Sequence, residues 1–247
     1  MNMIQSIDKN ETRIIYFLVN AFVIYFLSKN IFLSLIISII GFLVFVFHGI
    51  KNVHKKRDVL KRIMLFVTII LYYSLYFTNF KYDKTILQYL IVLNVLVVGV
   101  YESFFSQQKS RYINGLLLIF AALYTPTIIQ TTSTIYLKNY TWVFLYTSLL
   151  LSSYLYTNCF IDVIDNTNSQ YNTIVTIIAP LLLLLFNKKN WMKYRAIALI
   201  LYLLSDDLFG KIGDKMKMTY NFPQLENKFT IFNVLLSLYY FVTYFYK

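Results

Sequence analysis

The chain has 247 residues, of which 58% are hydrophobic, 19% are aromatic and only 14% are charged. Soluble domains carry about 25% charged residues, so this composition and the mean hydropathy of +0.59 predict a membrane protein. The net charge of +12 comes from short Lys and Arg clusters beside apolar runs, which predicts contact with the lipid bilayer and its anionic headgroups and excludes nucleic acid as a partner. A single cysteine, Cys159, excludes an intramolecular disulfide and a multi-cysteine zinc site.

Apolar runs of membrane-spanning length follow one another along the chain, separated by short polar breaks. A transmembrane helix needs about 20 mostly apolar residues. The predicted fold class is therefore all-α, a polytopic helical membrane protein with about nine transmembrane segments (eight to nine) in a single multi-pass domain over residues 1–247. The predicted spans are Ile14–Ser28, Ile31–Ile50, Ile63–Phe80, Ile86–Phe105, Tyr112–Thr125, Tyr140–Phe160, Thr173–Phe186, Ala196–Leu204 and Phe229–Tyr246.

Two of the breaks and one of the spans carry a more specific prediction. Lys29 and Asn30 predict a tight turn that folds the first two spans into a helical hairpin. Pro126 predicts a bend or an end of the fifth span, because proline removes a backbone donor. The eighth span is thinner than the others and is a candidate for a partly interfacial helix, with Trp191 and Tyr194 at the headgroup boundary.

The segment 51–62, KNVHKKRDVLKR, is the most strongly basic break. Short loops rich in Lys and Arg stay on the cytoplasmic side, so this loop is predicted to be cytoplasmic. Its topogenic residues are Lys51, Lys55, Lys56, Arg57, Lys61 and Arg62.

Nine crossings would place 14 of the 23 Lys and Arg residues on the side of that loop. Four basic residues nevertheless fall together on the opposite side, and they are Lys188, Lys189, Lys193 and Arg195. This conflict indicates a wrongly assigned span between residues 62 and 188.

Two acidic groups have helical spacing, which places each group on one face of a continuing helix. They are Asn158, Asp162 and Asp165, and then Asp207, Lys211 and Asp214. Carboxylates on one membrane face can hold Mg²⁺ and, through it, a diphosphate. Asp162, Asp165, Asp207 and Asp214 are therefore the candidate catalytic and metal-binding residues of an enzyme alternative with Mg²⁺ as cofactor. The competing interpretation is that these carboxylates only solvate helix ends.

This arrangement resembles the two aspartate-rich motifs of UbiA-type prenyltransferases, which are helical membrane enzymes. The resemblance would imply a prenyl-diphosphate substrate. The chain departs from the family at Cys159, since that family has Asp directly after Asn, and its acidic groups lie two helices apart rather than four. The residues therefore do not assign the chain to the family.

Asn94 and Glu102 are polar residues within the fourth span. Polar groups at membrane depth are costly and often functional, so these two residues are the transport-path candidates. Alternatively, Glu102 reaches the headgroups from the end of its span and Asn94 bonds a neighbouring helix. Gln130 is a weaker case of the same kind.

No sharp catalytic motif occurs in the sequence. The first functional prediction is therefore a non-enzymatic, multi-pass membrane protein with a transport, channel-like or scaffold role. The alternative is an Mg²⁺-dependent membrane enzyme that acts on a lipid or a prenyl diphosphate. Neither a substrate nor an oligomeric state is predicted.

Overall fold

The computed structural model describes residues 2–50, 56–77, 81–105, 109–131, 134–155, 169–209 and 223–246. The chain divides into two compact units, each built from two stretches of sequence. Unit 1 comprises Met1–Tyr73 and Thr167–Met218, and unit 2 comprises Ser74–Asn166 and Thr219–Lys247. The single domain predicted from the sequence stays a prediction.

Helices make up most of the described residues, and one lies in each predicted span, which confirms the helical fold class. The first half of the chain contains α1 (Asn2–Leu27), α2 (Ile31–Val44, continued by a π-helical turn, Phe45–Gly49), α3 (Lys56–Ser74), α4 (Lys81–Phe105) and α5 (Lys109–Leu123). The second half contains β1 (Ile128–Gln130), β2 (Ile135–Leu137), α6 (Tyr140–Leu155), α7 (Ser169–Leu183), a 3₁₀ turn (Lys188–Asn190), α8 (Trp191–Phe209) and α9 (Pro223–Phe245).

The number of membrane crossings is not confirmed. Within the described residues, one helical segment, Glu226–Phe245, is long and apolar enough to cross a membrane. The segments Ile14–Leu27 and Ile31–Phe47 pass the same test only as a pair, which is bent by 119° at the intervening turn. The turn predicted at Lys29 and Asn30 is present. The helical hairpin stays a prediction, because a bend of 119° is less than the full reversal of two antiparallel helices.

Helix α8 is the centre of unit 1, where it packs against α1, α2 and α7. Its side chains are buried on nearly every side, and these include Trp191, Tyr194, Ile197 and Leu203. A helix that is buried all round belongs to a core. The interfacial position predicted for the eighth span and the headgroup position of Trp191 and Tyr194 stay predictions, because burial among neighbouring helices does not fix depth in a membrane.

The far end of α8 lies in an aromatic cluster of unit 1. Leu203 packs there with Phe45 of the π-helical turn and Phe66 of α3. The two rings are stacked, with their centroids 5.7 Å apart. Such ring pairs stabilise a structure by about 0.5–1.5 kcal/mol beyond the area that they bury.

A proline within α7 explains why a basic residue, Arg195, occurs in α8. Pro180 has no N–H, so it cannot donate to the carbonyl oxygen of Thr176 four residues earlier. The guanidinium of Arg195 donates a hydrogen bond to that oxygen instead. Arg195 therefore completes the hydrogen bonding of α7, which accounts for a cation at this position without any role in topology.

The Arg195 contact predicts energetic coupling to Pro180. Arg195→Met should lower the free energy of unfolding by about 1.5–3 kcal/mol, as expected for a hydrogen bond from a charged donor. In a Pro180→Ala background the cost should fall by more than half, because the alanine backbone supplies the missing N–H. Denaturant unfolding in detergent measures both values, with Lys188→Met as a control that removes an exposed cation. Equal costs in the two backgrounds would contradict the assignment.

Helices α4 and α5 of unit 2 cross at very short range. A Cβ atom placed on Gly115 would lie 2.5 Å from the backbone nitrogen of Ser103 and 2.8 Å from the carbonyl oxygen of Gly99. The same atom on Gly99 would lie 2.9 Å from the carbonyl oxygen of Gly115. Small residues permit this backbone-to-backbone approach, which is the usual way in which membrane helices pack tightly.

The crossing predicts a large loss of stability at one glycine and little change at another. Gly115→Ala should lower the free energy of unfolding by about 2–3 kcal/mol, because two backbones would have to move apart. At Gly41 the nearest atoms are side-chain atoms of Leu204 and Phe66 at 3.3 Å. Gly41→Ala should therefore change stability by less than about 1 kcal/mol, since helix propensity favours Ala. A similar loss at both positions would argue against the tight crossing.

Three side chains donate hydrogen bonds to carbonyl oxygens at the carboxyl end of α5. Thr125 donates to the carbonyl oxygen of Ala122 at 2.8 Å, the Trp142 indole donates to that of Ala121 at 2.8 Å, and the Tyr240 hydroxyl donates to that of Tyr124 at 2.6 Å. The last carbonyls of a helix have no partner within the helix, so these contacts cap it. The predicted end of the fifth span near Pro126 is confirmed.

The all-α prediction missed one short hairpin in unit 2. Strands β1 and β2 pair antiparallel, with Ile129 opposite Tyr136. Gln130 donates to the carbonyl oxygen of Leu75 at 2.7 Å, just beyond the end of α3. Gln130 therefore satisfies a backbone group, and this contact accounts for the residue without a transport path.

Candidate functional site

The predicted Mg²⁺ residues lie largely outside the described chain. Asp162, Asp165 and Asp214 are not among the described residues. Asp207 lies in the last turn of α8, and its side chain is outside the described part. Within the described residues, no group of three or more His, Cys, Asp or Glu could hold a metal ion. The Mg²⁺ site stays a prediction.

The two transport-path candidates lie on α4. Asn94 is half-buried. Glu102 lies about two turns further along, in the last turn of the helix, and its side chain is outside the described part. Their role in transport stays a prediction.

The topogenic loop is described only from α3 onward. Lys51 and Lys55 lie outside the described residues, and the positions of Lys56, Arg57 and Lys61 belong to the first two turns of α3. The guanidinium carbon of Arg62 lies 5.9 Å from the centroid of the Phe45 ring, which is within cation–π range. The cytoplasmic position of the loop stays a prediction.

A buried polar cluster, formed by two asparagines and three serines, joins α5, α6 and α9 of unit 2. Asn233 of α9 donates to the side-chain oxygen of Asn114 of α5 at 3.2 Å and to the Ser152 hydroxyl of α6 at 2.8 Å. Asn233 also accepts a hydrogen bond from the Ser148 hydroxyl at 2.6 Å. Asn114 donates to the Ser153 hydroxyl at 2.9 Å and to the carbonyl oxygen of Leu149 at 3.1 Å.

Every donor in this polar cluster is used. The side-chain amides of Asn114 and Asn233 each donate two hydrogen bonds. Ser152 and Ser153 donate to the carbonyl oxygens of the residues four positions earlier. Burial strengthens such bonds and makes each unsatisfied group costly. The cluster therefore joins three helices in one arrangement, and its donors are already committed to the protein.

Sequence reasoning selected Asn94 and did not select Asn114 or Asn233. The two asparagines are 119 residues apart in the chain, so their contact depends on tertiary packing. One signal was present: Ser148, Ser152 and Asn233 interrupt long apolar runs at positions that face one side of each helix.

The polar cluster predicts different outcomes for two buried serines. Ser152→Ala should lower the free energy of unfolding by about 0.5–1.5 kcal/mol, because it leaves an N–H of Asn233 without an acceptor. Ser237→Ala, on the same face of α9 as Asn233, should leave stability unchanged or raise it, because its hydroxyl has no hydrogen-bond partner in the described structure. Thermal unfolding in detergent compares the two variants, and an equal loss in both would contradict the role given to the cluster.

A basic turn, defined here as Lys29 together with Lys188, Lys189 and Lys193, lies at one end of unit 1. Lys193 is only 6% exposed. Burial lowers the pKa of its ammonium group, and the positive charge of Lys29 lowers that pKa further. The Nζ atom of Lys29 lies 4.4 Å from the centroid of the Tyr25 ring, and Tyr25 raises the pKa of Lys29. The fold thus brings cations from two separate turns together.

Comparison with known proteins adds no functional assignment. The chain matches no protein-family model, and searches of curated proteins and of solved structures gave no match either.

Proposed function

We propose that the chain is a multi-pass integral membrane protein with a non-enzymatic, structural role, a scaffold held in the bilayer. The observation that carries this proposal is the inverted burial pattern of helices α2 and α9, with small or polar residues inside and large apolar residues outside. A soluble helix shows the opposite pattern.

Helix α9 has this pattern along its whole length. Its buried side includes Thr230, Asn233 and Ser237, whereas large apolar side chains are exposed. The exposed residues are Ile231, Phe232, Leu235, Leu238 and Val242, each with half or more of its side chain accessible. A soluble monomer rarely exposes a continuous apolar surface of this kind, whereas lipid tails would cover it.

Helix α2 repeats the pattern in unit 1. Ser34, Ser38 and Gly41 are buried, and Ser34 donates to the carbonyl oxygen of Leu27 at 2.9 Å. Phe32, Ile39, Ile40 and Leu43 are exposed. Small and hydroxyl-bearing residues at contacts between helices, with bulky apolar residues outside, are typical of helices packed in a membrane.

The polar cluster of unit 2 favours a scaffold over a transporter. A transport path needs polar groups that can exchange partners with water or a solute. Both asparagines of the cluster instead donate only to other groups of the protein. Transport through Asn94 and Glu102 remains the alternative.

The proposed topology follows from the positions of two turns in unit 1. The ring of Tyr25, at the end of α1, contacts the ring of Phe186, just after α7, with centroids 6.1 Å apart. Nine crossings place both turns on the same side of the membrane, in agreement with this contact. Residues 31–50 then extend about 30 Å, which is enough to carry the chain to the basic loop on the other side.

Membrane extraction and cysteine labelling test this proposal. The chain should resist carbonate extraction, because apolar helices hold it in the bilayer. In a Cys159→Ser background, an impermeant maleimide should label Asn30→Cys and Lys188→Cys in intact cells. Asn52→Cys should be labelled only after permeabilisation, if the loop is cytoplasmic.

Release by carbonate would contradict membrane integration. Labelling of Asn30→Cys and Lys188→Cys from opposite sides would contradict the nine-span topology. Labelling of Asn52→Cys in intact cells would reverse the predicted orientation.

A further inference from the structure

We propose that the basic turn of unit 1 binds the phosphate group of an anionic lipid. This inference rests on the proposed membrane location. It goes beyond that location by assigning a ligand class to particular residues.

The first argument is that two separate turns bring their charges together. Lys29 lies between α1 and α2, and Lys193 lies in the first turn of α8. The Tyr25–Phe186 contact holds these turns side by side, and Lys29 acts electrostatically on Lys193. Like charges repel one another, and an anion between them would remove the repulsion.

The second argument is the cost of the position that Lys193 occupies. The amino end of a helix carries a partial positive charge, so the first turn favours acidic residues. Here α8 has no acidic residue in its first turn, and Lys188 and Lys189 directly precede the helix. A phosphate at this end would interact favourably with both the helix and the lysines.

The acidic residues of α8 lie at its opposite end. Positions 206 and 207 are 13 and 14 residues beyond Lys193, which corresponds to about 20 Å along a helix. Net positive charge therefore accumulates at the amino end of α8.

The third argument identifies the ligand as lipid-borne. Leu185 and Phe186, which precede the lysines, are 82% and 75% exposed. Exposed apolar side chains next to lysines suit the boundary between acyl chains and headgroups, where an ammonium reaches the phosphate and the rest contacts hydrocarbon. A free phosphate ion would use the lysines and leave these two side chains in water.

The location supplies a fourth argument. The basic turn lies at the opposite end of α2 from the basic loop, so the positive-inside rule does not explain its charge. Arg195 is accounted for by the carbonyl oxygen of Thr176. A headgroup ligand explains why the other cations, Lys29 and Lys188 among them, collect on this side.

Thermal unfolding of the full chain in lipid nanodiscs tests the proposal. Replacing part of the phosphatidylcholine by phosphatidylglycerol should raise the Tm of the parent by about 3 °C or more, as expected for a ligand well above its Kd. Lys193→Met and Lys29→Met should each lose at least half of that rise. Lys29 is exposed, so its variant keeps the test valid if Lys193→Met fails to fold.

Lys138→Gln, which removes an exposed cation from unit 2, is the matched control and should retain the full rise. An equal loss in this control would show general charge attraction and overturn the site. Inorganic phosphate in phosphatidylcholine nanodiscs should give no rise, and a rise equal to that from phosphatidylglycerol would overturn the lipid assignment. Nanodisc incorporation without any rise would overturn this inference alone, whereas carbonate release would overturn the membrane location.

Discussion

The structure depends on one constraint, that backbone carbonyls released where helices break must find new donors. Four breaks show the same solution. Ser34 donates a hydrogen bond to a carbonyl oxygen at the end of α1, and Gln130 donates to one just after α3. Trp142 and Tyr240 donate to carbonyl oxygens at the end of α5, and Arg195 donates to the carbonyl oxygen that Pro180 leaves without a partner. Without water, each unsatisfied group would cost several kcal/mol, on the order of a whole hydrogen bond. The polar side chains near these breaks are therefore structural.

The positions of the helices could be predicted from the sequence because each apolar run ends in a charged or polar break. The hairpin β1–β2 could not, since its short strands resemble the end of an apolar run. The burial of α8 was missed for a related reason: hydropathy measures how apolar a segment is, whereas its position depends on α1, α2 and α7. The basic residues that conflict with the predicted topology include Arg195, whose role becomes visible only beside Thr176.

The candidate sites were harder to predict than the helices. The sequence emphasised carboxylates with helical spacing, because spacing along one helix can be counted. The polar cluster instead joins Asn114 and Asn233, whose chemistry is ordinary until packing brings them within 3.2 Å. The basic turn was noticed only as an anomaly of charge. Its proposed meaning came from the contact between two turns that are more than a hundred residues apart.

The Pro180–Arg195 pair bears on how the chain is made. Thr176 leaves the ribosome 19 residues before the side chain that satisfies its carbonyl. During that interval α7 carries an unsatisfied group, which in the proposed membrane location opposes its release into lipid as an isolated helix. On that proposal, biosynthesis is favoured when α7 waits for α8 and the two enter the bilayer as one unit.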